Sequence, residues 1–186
     1  FRYFTTFISE SYEGKPRQPH LLFHMATGSG KTLVMAGAML YLYEQGYRNF
    51  LFFVDSTNIV EKTRDNFLNS ASNKYLFAQK IEINGKQIEI NEVQNFQAAN
   101  PDCINFCSTT IQGLHTTLNN PRENSVTIDD FAEQPIILIA DEAHHINSET
   151  RDGSRQTTLN FNTGENNDET TNWEQTVMRI FKSHEK

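Results

Sequence analysis

Apolar residues along this chain change their spacing several times, and each change marks an element. His20–Met25 (HLLFHM) is a short apolar run that predicts a first strand, and a glycine-rich loop follows it. Across Lys31–Gln45, Leu33, Val34, Ala38, Leu42 and Tyr43 recur at helical spacing, with Gly46 placed to end the helix. Asn49–Val54 (NFLFFV) is apolar throughout, as expected of a strand buried on both faces. Thr57–Leu68 returns to helical spacing through Ile59, Val60, Thr63 and Phe67. Strand, helix, strand, helix is the order of a parallel sheet covered on both sides.

Ile81–Ile90 breaks that order. Ile81, Ile83, Ile88 and Ile90 alternate around Asn84-Gly85, which predicts a hairpin inserted at the sheet edge. The main pattern resumes with a strand at Cys103–Cys107, a helix at Thr109–Leu118 and a buried strand at Ile136–Ala140. Pro135 stands at the entry to that last strand, where a missing N–H costs no central ladder bond. Residues 147–172 are rich in Asn, Thr, Asp, Glu and Gly and read as a flexible loop. Trp173, Val177, Ile180 and Phe181 then mark a helix that Asn172 can cap, its stripe read as core packing. The expected fold class is α/β: one domain over residues 1–186, an open and mainly parallel sheet with helices on both faces.

Composition adjusts this picture only slightly. With 37% hydrophobic residues and 14 Phe, 186 residues suffice for one real core. No apolar run approaches the roughly 20 residues that span a bilayer. The chain starts at Phe1 rather than Met and has no secretory segment, as expected of a fragment of a cytoplasmic protein. Cys103 and Cys107 are too few and too far apart for a zinc site or a disulfide scaffold and read as buried thiols in a reducing compartment. The six histidines show no metal-binding spacing. The net charge of −7 gives no support to nucleic-acid binding by bulk charge, although backbone N–H groups and hydroxyls can still hold phosphates.

The chemistry lies at two strand ends. Met25–Thr32 reads MATGSGKT between the first strand and the first helix. Gly28 and Gly30 let the backbone turn so that N–H groups face an anion, and the helix N-terminus adds partial positive charge. Thr27, Gly28, Ser29, Gly30, Lys31 and Thr32 form the candidate nucleotide site: Lys31 reaches the β- and γ-phosphates, and the Thr32 hydroxyl binds Mg²⁺. Met25 occupies the place of the first glycine in the usual pattern. Asp141-Glu142-Ala143-His144 ends the last buried strand. Ligand sites collect at the carboxyl ends of parallel strands, so Asp141 is expected beside the phosphate loop, holding Mg²⁺ through water. Glu142 is the candidate catalytic base for the attacking water, acting with Lys31; His144 is read as a coupling residue and His145 as a polar residue at a helix start.

With ATGSGKT and DEAHH placed, the chain resembles the first RecA-like domain of superfamily 2 helicases and translocases of the DEAD/DEAH type over roughly residues 20–146. Val54–Phe67 (VDSTNIVEKTRDNF) is similar to the family's motif Ia, and Cys107–Leu114 (CSTTIQGL) to its next DNA-facing motif. The resemblance implies DNA-backbone contacts by Ser56, Thr57, Thr109, Thr110 and Gln112. Ser56 and Thr57 equally suit a helix N-cap. HLLFHMATGSGKTLVMAGAML with LIADEAHH is most similar to the restriction (Res) subunit of type III restriction–modification enzymes. That likeness implies ATP and Mg²⁺ as cofactors, duplex DNA rather than RNA as partner, a second RecA-like lobe, a nuclease domain outside this chain and a methyltransferase/specificity subunit.

Some parts of the family pattern are missing. Only Gln18 or the Arg2-Tyr3 region could serve the adenine, and no motif III follows Asp141. The second lobe with its arginine finger lies outside the chain, so by itself it should bind nucleotide weakly and turn it over poorly. The competing classes are a non-motor P-loop kinase or transporter ATPase, a module that senses ATP without hydrolysing it, and a DNA repair or remodelling translocase of the same superfamily. ATP turnover stimulated by a small acceptor and indifferent to DNA would mark the first.

Overall fold

The computed structural model describes residues 21–141 and 173–183, together with the backbone of two short paired strands near the N-terminus. Those strands are β1 (Ser11–Tyr12) and β2 (Lys15–Pro16), joined antiparallel. Helix α1 (Lys31–Glu44) leads through a tight turn to β3 (Asn49–Val54), and α2 (Thr57–Leu68) follows. The turn after α1 has a definite chemistry. Gly46, at φ 103°, donates its N–H to Tyr43 O, and Tyr47 N donates to Leu42 O. Those two bonds satisfy helix-end carbonyls, and the positive φ explains the glycine.

Strands β4 (Ile81–Ile83) and β5 (Lys86–Ile88) make the expected hairpin, with Ile81 opposite Ile88 and Asn84 and Gly85 both at positive φ. Ile90 does not belong to it. It opens β6 (Ile90–Glu92), which pairs parallel with β7 (Ile104–Thr110) in the main sheet. Alternation alone could not separate the two, because period-two spacing carries no information about which strand is the partner. Helices α3 (Ile111–Asn119) and α4 (Ile128–Glu133) follow, then β8 (Ile136–Ala140) and, beyond residues 142–172, α5 (Trp173–Ser183). The strand–helix boundary expected near Thr109 falls two residues later, since Thr109 and Thr110 still pair with β3.

The main sheet has the order β6-β7-β3-β8 and is parallel throughout. One face buries Phe50, Phe52, Val54, Ile104 and Phe106 against Ala36, Met39, Leu42 and Tyr43 of α1 and Val60 and Phe67 of α2. The other buries Leu51, Phe53 and Cys107 against Ile111, Leu114 and Leu118 of α3, Phe131 of α4 and Ile180 of α5. This is the RecA-like three-layer arrangement, and it explains why all six residues of β3 are buried. Phenylalanines lock the first face: Phe67 meets Phe106 and Phe77 edge-on at 5.4 and 5.6 Å.

Three sequence expectations need correction. Residues 21–26 are not a strand and pair with no strand of the described sheet; Leu21, Leu22 and Phe23 are exposed. An apolar run becomes a strand only where an edge accepts its N–H and C=O groups, because a strand, unlike a helix, makes no backbone hydrogen bonds of its own. β8 is only half-buried rather than fully so, since among the described residues it ends the sheet. The buried side of α1 is Ala36, Met39, Leu42 and Tyr43, which leaves Leu33 59% exposed instead of in the core.

Candidate nucleotide and nucleic-acid site

The strands' carboxyl ends are level with one another. Val54 of β3 stands opposite Thr110 of β7, Phe53 stands opposite Ala140 of β8, and Asp141 N donates to Phe53 O at 3.3 Å. Ser56 and Thr57 at the start of α2, Thr109 to Gln112 around the start of α3, and Asp141 therefore share one edge of the sheet. α1 enters β3 at the opposite edge. Its 14 residues, about 21 Å of helix, carry its N-terminus back towards the carboxyl side.

The loop before α1 has the backbone that its glycines suggest. Gly28 and Gly30 have φ values of +77° and +92°, in the left-handed region. No atom within 4 Å would meet a Cβ at either, so backbone conformation and not crowding is what calls for glycine. Ser29 folds back on the loop, its Oγ and its N–H both donating to Ala26 O at 2.6 and 3.2 Å. Thr27 to Gly30 are exposed, and Lys31 and Thr32 half-buried.

How the helices begin separates this loop from those before α3 and α4. α3 is capped by Thr110, whose Oγ1 accepts from Gly113 N at 3.0 Å, and α4 by a capping box between Thr127 and Asp130. α1 has no side-chain cap and no acidic residue in its first turn, and its N-cap is Gly30. A helix N-terminus presents N–H groups and partial positive charge, the donors that an anion needs. With the Thr32 hydroxyl and a carboxylate at the same edge, this donor set fits a phosphate with a hard divalent cation.

α2 likewise begins without a side-chain cap. Ser56 has the extended backbone of an N-cap, but its hydroxyl does not make the cap bond. Thr110 does cap, and it also crowds Gly113, where a Cβ would fall 2.8 Å from Thr109 Oγ1 and 3.1 Å from Thr110 Oγ1. Gln112 is exposed one residue into α3. Glu142, His144, His145, Gln18, Arg2 and Tyr3 lie outside the described residues, as do residues 147–172. Sequence reading missed α4, whose capping box Thr127-x-x-Asp130 was the available signal, and the place of Ile90 in strand β6 of the main sheet.

Cys107 sits in the second core with its thiol pushed up to about 12, first by burial and then by Glu92 and Asp130. Four residues of extended chain separate it from buried Cys103, about 13 Å, too far for a disulfide. No group of His, Cys, Asp and Glu able to hold a metal occurs among the described residues, and no described helix is long and apolar enough to cross a membrane.

The profile of the type III restriction enzyme Res subunit matches residues 4–184. This chain belongs to that family. It is 40% identical over 173 residues to a protein of Haemophilus influenzae described as a probable type III restriction-modification enzyme HindVIP Res subunit. The match covers 89% of this chain and 33% of that relative, so the chain spans about a third of the relative's length. No solved structure gives a significant match.

Proposed function

We propose that this Res-family chain is a single RecA-like domain, the ATP-binding motor lobe of a cytoplasmic, DNA-dependent ATPase that translocates on duplex DNA. One observation carries the reading: α1 starts on a left-handed glycine with no cap or acidic residue of its own, in a sheet that delivers Asp141 at its carboxyl edge. In this reading, N–H groups of Thr27 to Thr32 cradle the phosphates and Lys31 binds the β- and γ-phosphates. The Thr32 hydroxyl and Asp141 hold Mg²⁺, which when bound neutralises charge developing on the phosphate oxygens. Glu142 orients the attacking water and takes its proton. His144 couples the site to a second RecA-like lobe. Ser56, Thr57, Thr109, Thr110 and Gln112 meet the DNA backbone, where Thr110 can cap α3 with its oxygen and still donate its proton to a phosphate. The H. influenzae relative's description names a restriction–modification enzyme, which supports a nuclease domain and a modification subunit as further partners.

The test is ATP turnover by the full protein with and without duplex DNA. Lys31→Ala and Glu142→Gln should each remove DNA-stimulated hydrolysis, by at least about 100-fold for loss of a general base. Near-normal turnover in Glu142→Gln would eliminate that residue as the base. Turnover indifferent to DNA in the wild type would eliminate the motor.

A further inference from the structure

Two hydrogen bonds join α3 to α5 on the second face of the sheet, and a third within α3 links them. Arg179 Nη1 donates to Asn119 Oδ1 at 2.7 Å, Asn119 Nδ2 lies 2.9 Å from His115 Nε2, and His115 Nδ1 lies 2.7 Å from Thr176 Oγ1. Their direction is fixed from one end. A guanidinium only donates, so Asn119 turns its carbonyl to Arg179 and its N–H to His115. Nε2 then accepts, and the ring donates from Nδ1 to Thr176.

His115 and Asn119 are one turn apart on α3, and Thr176 and Arg179 nearly one turn apart on α5, so the chain of bonds sets both the rotation and the register of α5. Apolar contacts of Val177 and Ile180 could not do this alone, since burial has no direction. α5 also packs on α4. α3 begins at Thr110 on the carboxyl edge, while α4 leads into β8 and so to Asp141. α5 thus bridges the helix that opens at the candidate DNA contacts and the helix that feeds the candidate metal ligand.

We propose that His115, Asn119, Thr176 and Arg179 form a positioning clamp, holding α3, α5 and α4 as one unit so that DNA engagement at Thr110–Gln112 reaches Asp141. The inference rests on the motor reading and adds to it residues that touch neither nucleotide nor DNA. Coupling of this kind passes through contacts with a fixed geometry, and typical couplings change an affinity by about 5- to 150-fold.

The experiment measures ATP turnover of the full protein with and without duplex DNA, and the melting temperature, for wild type, Thr176→Val, Thr176→Ser and Arg179→Ala. Valine resembles threonine in shape and removes the acceptor from a residue that is 4% exposed. Thr176→Val should leave DNA-independent turnover unchanged, reduce the stimulated rate by roughly 5-fold or more, and be rescued by Thr176→Ser. Arg179, exposed on α5, tests the other end without opening a cavity, and its alanine variant should show a smaller loss of the same kind. Wild-type stimulation in both Thr176→Val and Arg179→Ala overturns the clamp. Basal and stimulated rates falling together with the melting temperature also overturn it, because a merely structural role predicts that result. If DNA does not stimulate the wild type, the motor reading fails and the clamp with it.

Discussion

Cys107 shows how one side chain's setting becomes a measurable property. A free thiol titrates near 8.5, and burial, with Glu92 and Asp130 adding to it, pushes this one up to about 12. A raised thiol value means that the fold prefers the protonated form. The stabilisation is therefore complete below the unfolded value and is lost as pH rises towards the folded one. Wild type should lose stability more steeply than Cys107→Ala between about pH 9 and pH 12, read from urea midpoints across that range. Parallel declines would mean that the thiol does not titrate this way. The same burial accounts for part of what the sequence made legible: a Cys inside an apolar strand reads as a buried thiol, and it is one. Leu33 was misread because a single apolar residue on a helix fits either of two adjacent stripes, and only packing shows that Ala36 and Met39 define the buried one.

Among elements, those whose pattern reflects burial on a helix face or on both faces of a sheet were legible, and those defined by a partner strand were not. α2 and β3 have the boundaries that their spacing predicts, and the Asn84-Gly85 turn forms where expected. β6 and the unpaired segment at 21–26 depend on which edge is available, information not contained in the local run. A polar feature at the amino ends of the strands was equally hidden. Asn105, fully buried, donates from Nδ2 to Asn49 Oδ1 at 3.1 Å and to Asn100 O at 2.9 Å, and its Oδ1 accepts from Asn100 N at 3.0 Å. Asn49 in turn donates to Gln134, which donates to Phe96 O. This links β3, β7 and the residue run into β8 where apolar packing ends. Asn105→Leu strands several of these groups without partners and should cost about 2–4 kcal/mol, measured by equilibrium urea unfolding. A loss under about 1 kcal/mol would mean that water replaces the lost bonds.

At the scale of the whole molecule, two features bear on association. Among the described residues, β8 ends the parallel sheet with apolar, mostly half-buried residues, and Leu21, Leu22, Phe23 and Leu33 are exposed large hydrophobics, with Leu22 at 81%. A sheet edge offers N–H and C=O groups to another chain, and exposed apolar side chains add a driving force for association. The net charge of −7 acts the other way, since like-charged molecules repel over about 10 Å at 0.1 M salt and over less as salt rises. The balance gives a definite sign: residues 1–186 on their own should be monomeric in dilute low-salt buffer and self-associate as salt is raised. Charged-pair assembly would weaken instead. Sedimentation velocity across a salt and concentration series distinguishes the two. Leu22→Lys, at a position too exposed to disturb the core, should shift the onset to higher protein concentration by weakening the apolar contact, although it reduces the net charge. If Leu22→Lys instead promotes association, charge rather than apolar surface controls the assembly, and these leucines are ordinary surface residues.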